Sequence, residues 1–258
     1  GRERASPYQP SDRRFLEPVL LDVTAISDLP AVKTALEQEA GLFATLRKGV
    51  LVDYPTVWAA KRRVLAAAWE TWPSDDAGLM AFRSAGGSAL EDFATFSALA
   101  ERHNSNDHRA WGPGHAHPGD SAVVAFRASD PKAIGFHAFL QFLCDRQLAA
   151  AAAAGPGLYR DLAVGSAPDG AEIWSQPDAF LRGFSIGAPP DPFAPQGQVW
   201  GLPVPNPHVS AADGHAGFGR LLAANMRHAR ALRLDHAMGL ERLFVVPDGA
   251  PGQAGCYL

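Results

Sequence analysis

The chain has only two cysteines in 258 residues, Cys144 and Cys256. They stand far apart and form no C-x-x-C pair, which argues against both a disulfide framework and a zinc ribbon; reduced thiols in a cytoplasmic protein are the expectation. It has no run of five or more basic residues, and its formal net charge is -4. A nucleic-acid or anionic-membrane partner would need clustered Lys and Arg, so no nucleic acid and no membrane is expected as a partner. Long hydrophobic runs are missing too. The apolar stretch Leu148–Ala154 is mostly alanine and falls far short of the roughly 20 residues needed to cross a bilayer. The opening residues Gly1 to Arg14 are polar and charged, not a basic stub with an apolar core, so no secretory signal is read there. There is no G-x-S-x-G elbow for a serine hydrolase and no Gly-rich phosphate loop. His103, His108, His115 and His117 lie close in sequence, with Asp107 and Asp120 nearby. Their spacing matches no zinc signature, and the Asn, Gly and Pro among them read as a solvated loop, so no metal site is expected. An initiator Met is also absent, and both ends look cut, so the chain is read as an internal fragment.

What is present is enough apolar material, 47% of residues, to bury a substantial core. Helical signals fill the first 155 residues. Val57, Trp58, Val64, Leu65, Ala68 and Trp69 form one stripe of a helix over 56–72 that Pro73 ends. Residues 31–46 form a weaker helix. Ser88 and Glu91 make a capping box ahead of Leu90, Phe93, Phe96 and Leu99. Asp130 before Pro131 caps a further helix through Phe136, Leu140, Leu143 and the alanines, stopped by Gly155-Pro156-Gly157. Beyond the stop, short apolar segments (Leu158–Val164, Ala231–Leu234, Leu243–Val246) alternate with loops and a helix at about 215–230. That punctuation predicts parallel βαβ units, with the helix-rich block from about 30 to 130 inserted between barrel elements.

The stretch Leu232-Arg233-Leu234-Asp235-His236 is an apolar strand interrupted at alternate positions by a cation and an anion. A period of two puts Arg233 and Asp235 on one face. A guanidinium beside a carboxylate favours the ionised form, which suits a carboxylate that must attack carbon, so Asp235 is a candidate nucleophile. A structural ion pair at a strand end is the alternative, and spacing alone leaves it open. Asp161, in Leu158-Tyr159-Arg160-Asp161-Leu162, also ends an apolar segment, where it could face the same pocket or merely cap a loop. The stretch from Gly187 to Pro203 is too rich in Pro and Gly to predict regular structure. It is read as a long ordered loop whose Phe193 and Trp200 could cover sugar rings or simply pack against the loop itself.

Several stretches together resemble glycoside hydrolase family 77, the 4-α-glucanotransferases. Ser6-Pro7-Tyr8-Gln9-Pro10-Ser11 is similar to the family's SPY-containing loop, and LYRDLAVGSAPDGAEIW (158–174) to its third barrel strand and following loop. GAPPDPFAPQGQVWGLP (187–203) resembles the loop that closes over substrate, and LRLDHAMGLERLF (232–244) the fourth strand. VDYPTVWAAKRRVL (52–65), the Trp111 region and FHAFLQFLCDRQLAAAA (136–152) resemble the helical insertion of the bacterial type.

This resemblance implies an α/β fold, part of a (β/α)8 TIM barrel with an inserted helical subdomain. Residues 1–30 would form a barrel loop and the start of the insertion, 31–130 the helical insertion, and 131–258 a barrel segment with strands 3 and 4 and a covering loop at about 185–205. It further implies that Asp235 is the nucleophile of a retaining double displacement on α-1,4-glucans, with Arg233 holding its charge. Asp161 would bind sugar hydroxyls, Tyr8 and Trp200 would contact acceptor and donor sugars, and Gln198, Phe193 and His236 would be neighbours. No metal or organic cofactor is implied, and maltodextrins are the implied partners. The acid/base Glu would lie beyond Leu258, so the piece alone is expected to be inactive. The alternatives are an α-amylase-like hydrolase, a non-catalytic glucan-binding protein, and a helical regulatory domain without a sugar site.

Overall fold

A computed structural model describes residues 7 to 258. The chain divides into two compact units.

The first unit takes residues 16–106 and 121–150 and is helical. It contains α1 (Pro30–Leu46), α2 (Tyr54–Thr71), α3 (Ala77–Arg102), α4 (Ser121–Ser129) and most of α5 (Pro131–Ala153). Capping chemistry sets the helix starts. Asp53 accepts from the Thr56 amide at 3.1 Å, Asp76 from Leu79 at 2.6 Å and Asp130 from Ala133 at 3.1 Å, each quenching one of the orphan donors of a first turn. The helix over 56–72 and the start at Asp130-Pro131 therefore stand where the sequence put them. The capping box at Ser88 and Glu91 marks a kink inside α3: Gly87 takes φ 51°, a left-handed value open to glycine, and Glu91 faces Arg83 at 3.8 Å.

α5 is the centre of this unit. Every residue from Ile134 to Cys144 is buried, as expected of a helix surrounded by others. Phe139 and Leu140 are fully enclosed, each contributing about 1.5–3 kcal/mol of burial. Trp69 and Trp72 close on Phe139 at 5.4 and 4.9 Å. Two polar side chains buried on α5, Gln141 and His137, are paired, whereas the buried indole nitrogens of Trp69 and Trp72 find no hydrogen-bond partner among the described residues. Gln141 accepts from the Leu16 amide at 3.0 Å and donates to the Leu16 carbonyl at 2.8 Å, and His137 Nε2 lies 3.2 Å from Glu101.

The second unit takes residues 7–15, 107–120 and 151–258. Here β1 (Leu158–Leu162) is followed by the short α6 (Ala171–Ser175), β2 (Phe180–Ala188), β3 (Gln198–Pro205), α7 (Pro207–Ala212), α8 (Ala216–Met226), β4 (Ala229–Leu234), β5 (Phe244–Pro247) and β6 (Cys256–Tyr257). β1 and β4 pair in parallel as a two-stranded sheet, and the other strands form an open antiparallel sheet in the order β3-β2-β5-β6. Ile186, Leu202, Val204 and Val245 form a core on that sheet.

This corrects the expected fold class. The protein is mostly helical with two small open sheets, and no closed (β/α)8 barrel is present among the described residues. Two features divert the expected alternation. Among the described residues, only β1 and β4 have the parallel pairing of a βαβ unit, and β5, expected as a further parallel strand, runs antiparallel to β2. The Pro- and Gly-rich stretch read as a long loop is instead a β-hairpin, β2–β3, with residues 189–197 as its connection. Glycine and proline are tolerated there because the pairing is irregular: the register shifts between Leu181 and Ser185 and again between Ile186 and Gly187. Among the described residues, no helix is long and apolar enough to cross a membrane.

Candidate active site

The parallel register between β1 and β4 sets Asp161 opposite Arg233. Successive strand residues alternate faces, so Tyr159 and Asp161 look out from one side while Arg160 turns to the other and donates to the Asn225 carbonyl at 3.0 Å. On the outward side Arg233 spans two carboxylates. Its Nη1 donates to both oxygens of Asp161 at 3.0 and 2.9 Å, and its Nη2 donates to Asp235 Oδ1 at 2.8 Å. The planar fork of a guanidinium makes such a bridge possible. All three side chains stay open to solvent, at 46%, 42% and 52% exposure for Arg233, Asp161 and Asp235. The hydrogen bond and charge of Asp161, with the charge of Asp235, raise the pKa of Arg233 further above its ordinary value.

β4 ends at Leu234, so Asp235 stands at the strand's mouth, and His236 beyond it takes a left-handed φ of 52°. This turn sets the His236 ring edge-on to Trp200 at 5.0 Å and 79°. Its Nε2 is buried and, among the described residues, has no hydrogen-bond partner, a cost of about 1–3 kcal/mol in a protein interior. Trp200, on β3, donates from its indole to Gln198 Oε1 at 3.0 Å, and its carbonyl accepts from Gln9 Nε2 at 3.3 Å. Tyr8, beside Gln9, is 59% exposed.

Two groups of the expected residues are thus drawn together: Asp161 with Arg233 and Asp235, and Gln198 with Trp200 and His236. Phe193 is the outlier. It sits in the hairpin connection at 98% exposure, with only its backbone tied, through a 2.7 Å bond to Asp191. Ser6 of the SPY-like motif lies outside the described residues. The histidine-rich segment forms no metal cluster: among the described residues, no three His, Cys, Asp or Glu side chains gather as a metal site.

The full length of the chain, residues 1–258, matches the glycoside hydrolase 77 family, described as 4-alpha-glucanotransferase. The chain belongs to that family. It is 39% identical over 270 residues to a 4-alpha-glucanotransferase of Mycobacterium tuberculosis, a match covering 98% of this chain and 36% of the relative. A Haemophilus influenzae 4-alpha-glucanotransferase is 33% identical, with 98% of this chain and 40% of the relative covered. Among solved structures, the amylomaltase from Corynebacterium glutamicum superimposes with a TM-score of 0.81 at 32% identity, over 99% of this chain and 36% of that one. This glucanotransferase-family chain therefore spans between about a third and two fifths of the length of these relatives.

Within the family chain, the contacts that the sequence did not announce are those of residues 7–15. Gln9 ties to Trp200, and Arg13 forms a multidentate pair with Glu172. Neither stands in a periodic element, so no spacing rule singles them out. The nearest signal was the placement of Gln9 inside the SPY-like motif.

Proposed function

We propose that this chain carries the nucleophile and part of the sugar-binding surface of a 4-α-glucanotransferase acting on α-1,4-glucans. The observation that carries the reading is the bridge of Arg233 between Asp161 and Asp235, set at the open end of a parallel strand pair. Asp235 is the nucleophile. Its carboxylate attacks the anomeric carbon, the bond from that carbon to the leaving 4-oxygen breaks as that oxygen takes a proton from the second, acid/base carboxyl group, and a glycosyl ester forms with inverted configuration. The 4-hydroxyl of an acceptor sugar then displaces Asp235, restoring the original configuration and giving the proton it loses to the general base. Arg233 orients Asp235 through its Nη2 hydrogen bond. Asp161 accepts hydrogen bonds from sugar hydroxyls beside the scissile bond. Trp200, with His236 against its ring and Gln198 on its indole, offers a flat apolar face to donor sugars, as Tyr8 does to acceptors, and Phe193 approaches from the hairpin connection.

A retaining reaction needs a second carboxyl group about 5 Å from the first, and its expected position lies beyond Leu258. Turnover is therefore measured in the full-length protein. Incubation with maltotriose should yield glucose plus a ladder of longer maltodextrins, and Asp235→Ala should abolish both. Only shorter sugars would make the protein a hydrolase, and an unchanged substrate would favour a non-catalytic glucan-binding protein.

A further inference from the structure

Residues 7–15 contain no helix or strand, yet they are tied down from Gln9 to Arg13. The Ala167 amide donates to the Pro10 carbonyl at 2.8 Å, and the Glu172 amide to the Ser11 carbonyl at 3.0 Å. The Ala171 amide donates to Ser11 Oγ at 3.0 Å, and Asn225 Nδ2 to the Arg13 carbonyl at 3.0 Å. The strongest tie is the Glu172 carboxylate on α6. It accepts from the Arg13 amide at 3.0 Å, from Nε at 3.1 Å and from Nη2 at 2.6 Å. Arg13 uses its remaining Nη1 on the Val164 carbonyl at 3.2 Å. Both side chains are buried, at 11% and 8% exposure. At the other end of the segment, Gln9 reaches the Trp200 carbonyl.

We propose that Glu172 is a positioning residue: through Arg13 it fixes residues 7–15 as a strap and thereby holds Tyr8 and Gln9 in register with Trp200, setting how the acceptor sugar binds. The proposal rests on the glucanotransferase reading above. Its physical basis is that a buried ion pair is a poor source of net stability but a strict source of geometry, because a multidentate carboxylate–guanidinium contact accepts one relative placement. The neighbouring Gly170 enforces the same closeness, since a Cβ there would lie 2.3 Å from the Ser11 carbonyl oxygen. Burial would push the Glu172 carboxyl up, but the Arg13 charge and hydrogen bonds more than offset it, and its pKa falls below the ordinary value.

The test uses the full-length protein with maltoheptaose as donor and glucose as varied acceptor. Glu172→Gln keeps the shape and removes the charge. The expected result is a rise in acceptor KM of about 10- to 100-fold, the scale at which a remote misplacement of about 1 Å acts. The kcat at saturating glucose should hold within about threefold, since the change removes binding rather than chemistry. Glu172→Asp, which restores the charge, should recover part of the acceptor KM. Amide exchange should speed up over residues 7–15 in Glu172→Gln while β3 stays protected. An unchanged acceptor KM, or an equal fall in kcat and kcat/KM, overturns the proposal. If Glu172→Gln does not fold, Gln9→Ala breaks the far end of the strap alone, and an unchanged acceptor KM in that variant also overturns it. Failure of the functional reading looks different: the wild-type protein would then leave glucose and maltoheptaose unconverted.

Discussion

Replacing Gly187 with alanine separates the hairpin seen here from the open loop that its composition implies. Gly187 lies in β2 opposite Val199 of β3. An alanine Cβ at that position would sit 2.2 Å from the Gln198 carbonyl oxygen and 2.9 Å from Val246 Cγ2. Carbon and oxygen approach one another comfortably only at about 3.3 Å or beyond, so β3 or β2 must move by about 1 Å. The obstacle is backbone on one side and a fully buried valine on the other, and neither can swing aside as a flexible side chain would. Overpacking of this kind costs about 1–3 kcal/mol. With an m-value of about 1–3 kcal/mol/M in urea, the midpoint should fall by roughly 1 M with m unchanged. The displaced residue is next but one to Trp200, so the maltodextrin response of tryptophan fluorescence should weaken as well. Gly41→Ala is the control. It lies in α1 with nothing within 4 Å of the added carbon, and should gain about 0.5–1 kcal/mol. An unfolding midpoint for Gly187→Ala equal to wild type, or above it, would refute the pairing of β2 with β3.

Three further outcomes follow from the same structure. Phe139→Ala removes a fully buried ring held by Trp69 and Trp72 and should cost the helical unit about 3–5 kcal/mol, read as a lowered denaturation midpoint followed by far-UV circular dichroism. Arg233→Lys should leave the thermal midpoint unchanged, because the bridge is exposed, yet abolish the maltodextrin ladder, because an ammonium cannot fork between Asp161 and Asp235 as a guanidinium does. The Glu172 carboxyl, depressed in the fold against burial by Arg13, contributes stability that is fully present above the unfolded carboxyl pKa of about 4.3. That stability disappears as pH falls through the lower folded value, so midpoints measured from neutral pH down into the acid range should fall less steeply in Glu172→Gln than in wild type.

The helices were legible in the sequence because their starts are written in single residues. Asp130-Pro131 sits at the head of α5, and Pro73 follows the last turn of α2. The stripe from Val57 to Trp69 buries Val64, Leu65 and Ala68 on one face. The all-round burial of α5 shows in its unbroken apolar content. The hairpin was not legible, because its strands carry Gly183, Gly187, Gly201 and Pro203, residues that argue against a strand wherever pairing is regular. Irregular register lets them in, and register is a property of two segments that no single window contains. The Arg233–Asp235 contact could be read from spacing because both residues lie on β4 or at its end. The Arg233–Asp161 contact joins positions 72 residues apart and depends on which strands pair and in what phase. The strap of residues 7–15 was the least legible of all, because apart from local contacts such as the Asp12–Arg14 pair it is held by partners distant in sequence.

Burial also separates ion pairs that the sequence presents as equivalent. Arg13–Glu172 and Arg14–Asp12 are enclosed, with side chains at most 14% exposed, and their loss would strand a charge in a low-dielectric interior. The Arg233 bridge, between 42% and 52% exposed, does nothing of the kind, since exposed pairs add little to stability. A fold has small use for a cation forked between two carboxylates in open solvent. A ligand seated on the bridge would displace that water, and each of the three charges would then act through a lower dielectric than it does in the free protein. The alternative of a structural strand-end pair predicts that Arg233→Lys changes stability and spares transfer, the reverse of what exposure implies. Melting and product analysis of that one variant therefore decide between a pair that holds the strands together and one that awaits a substrate.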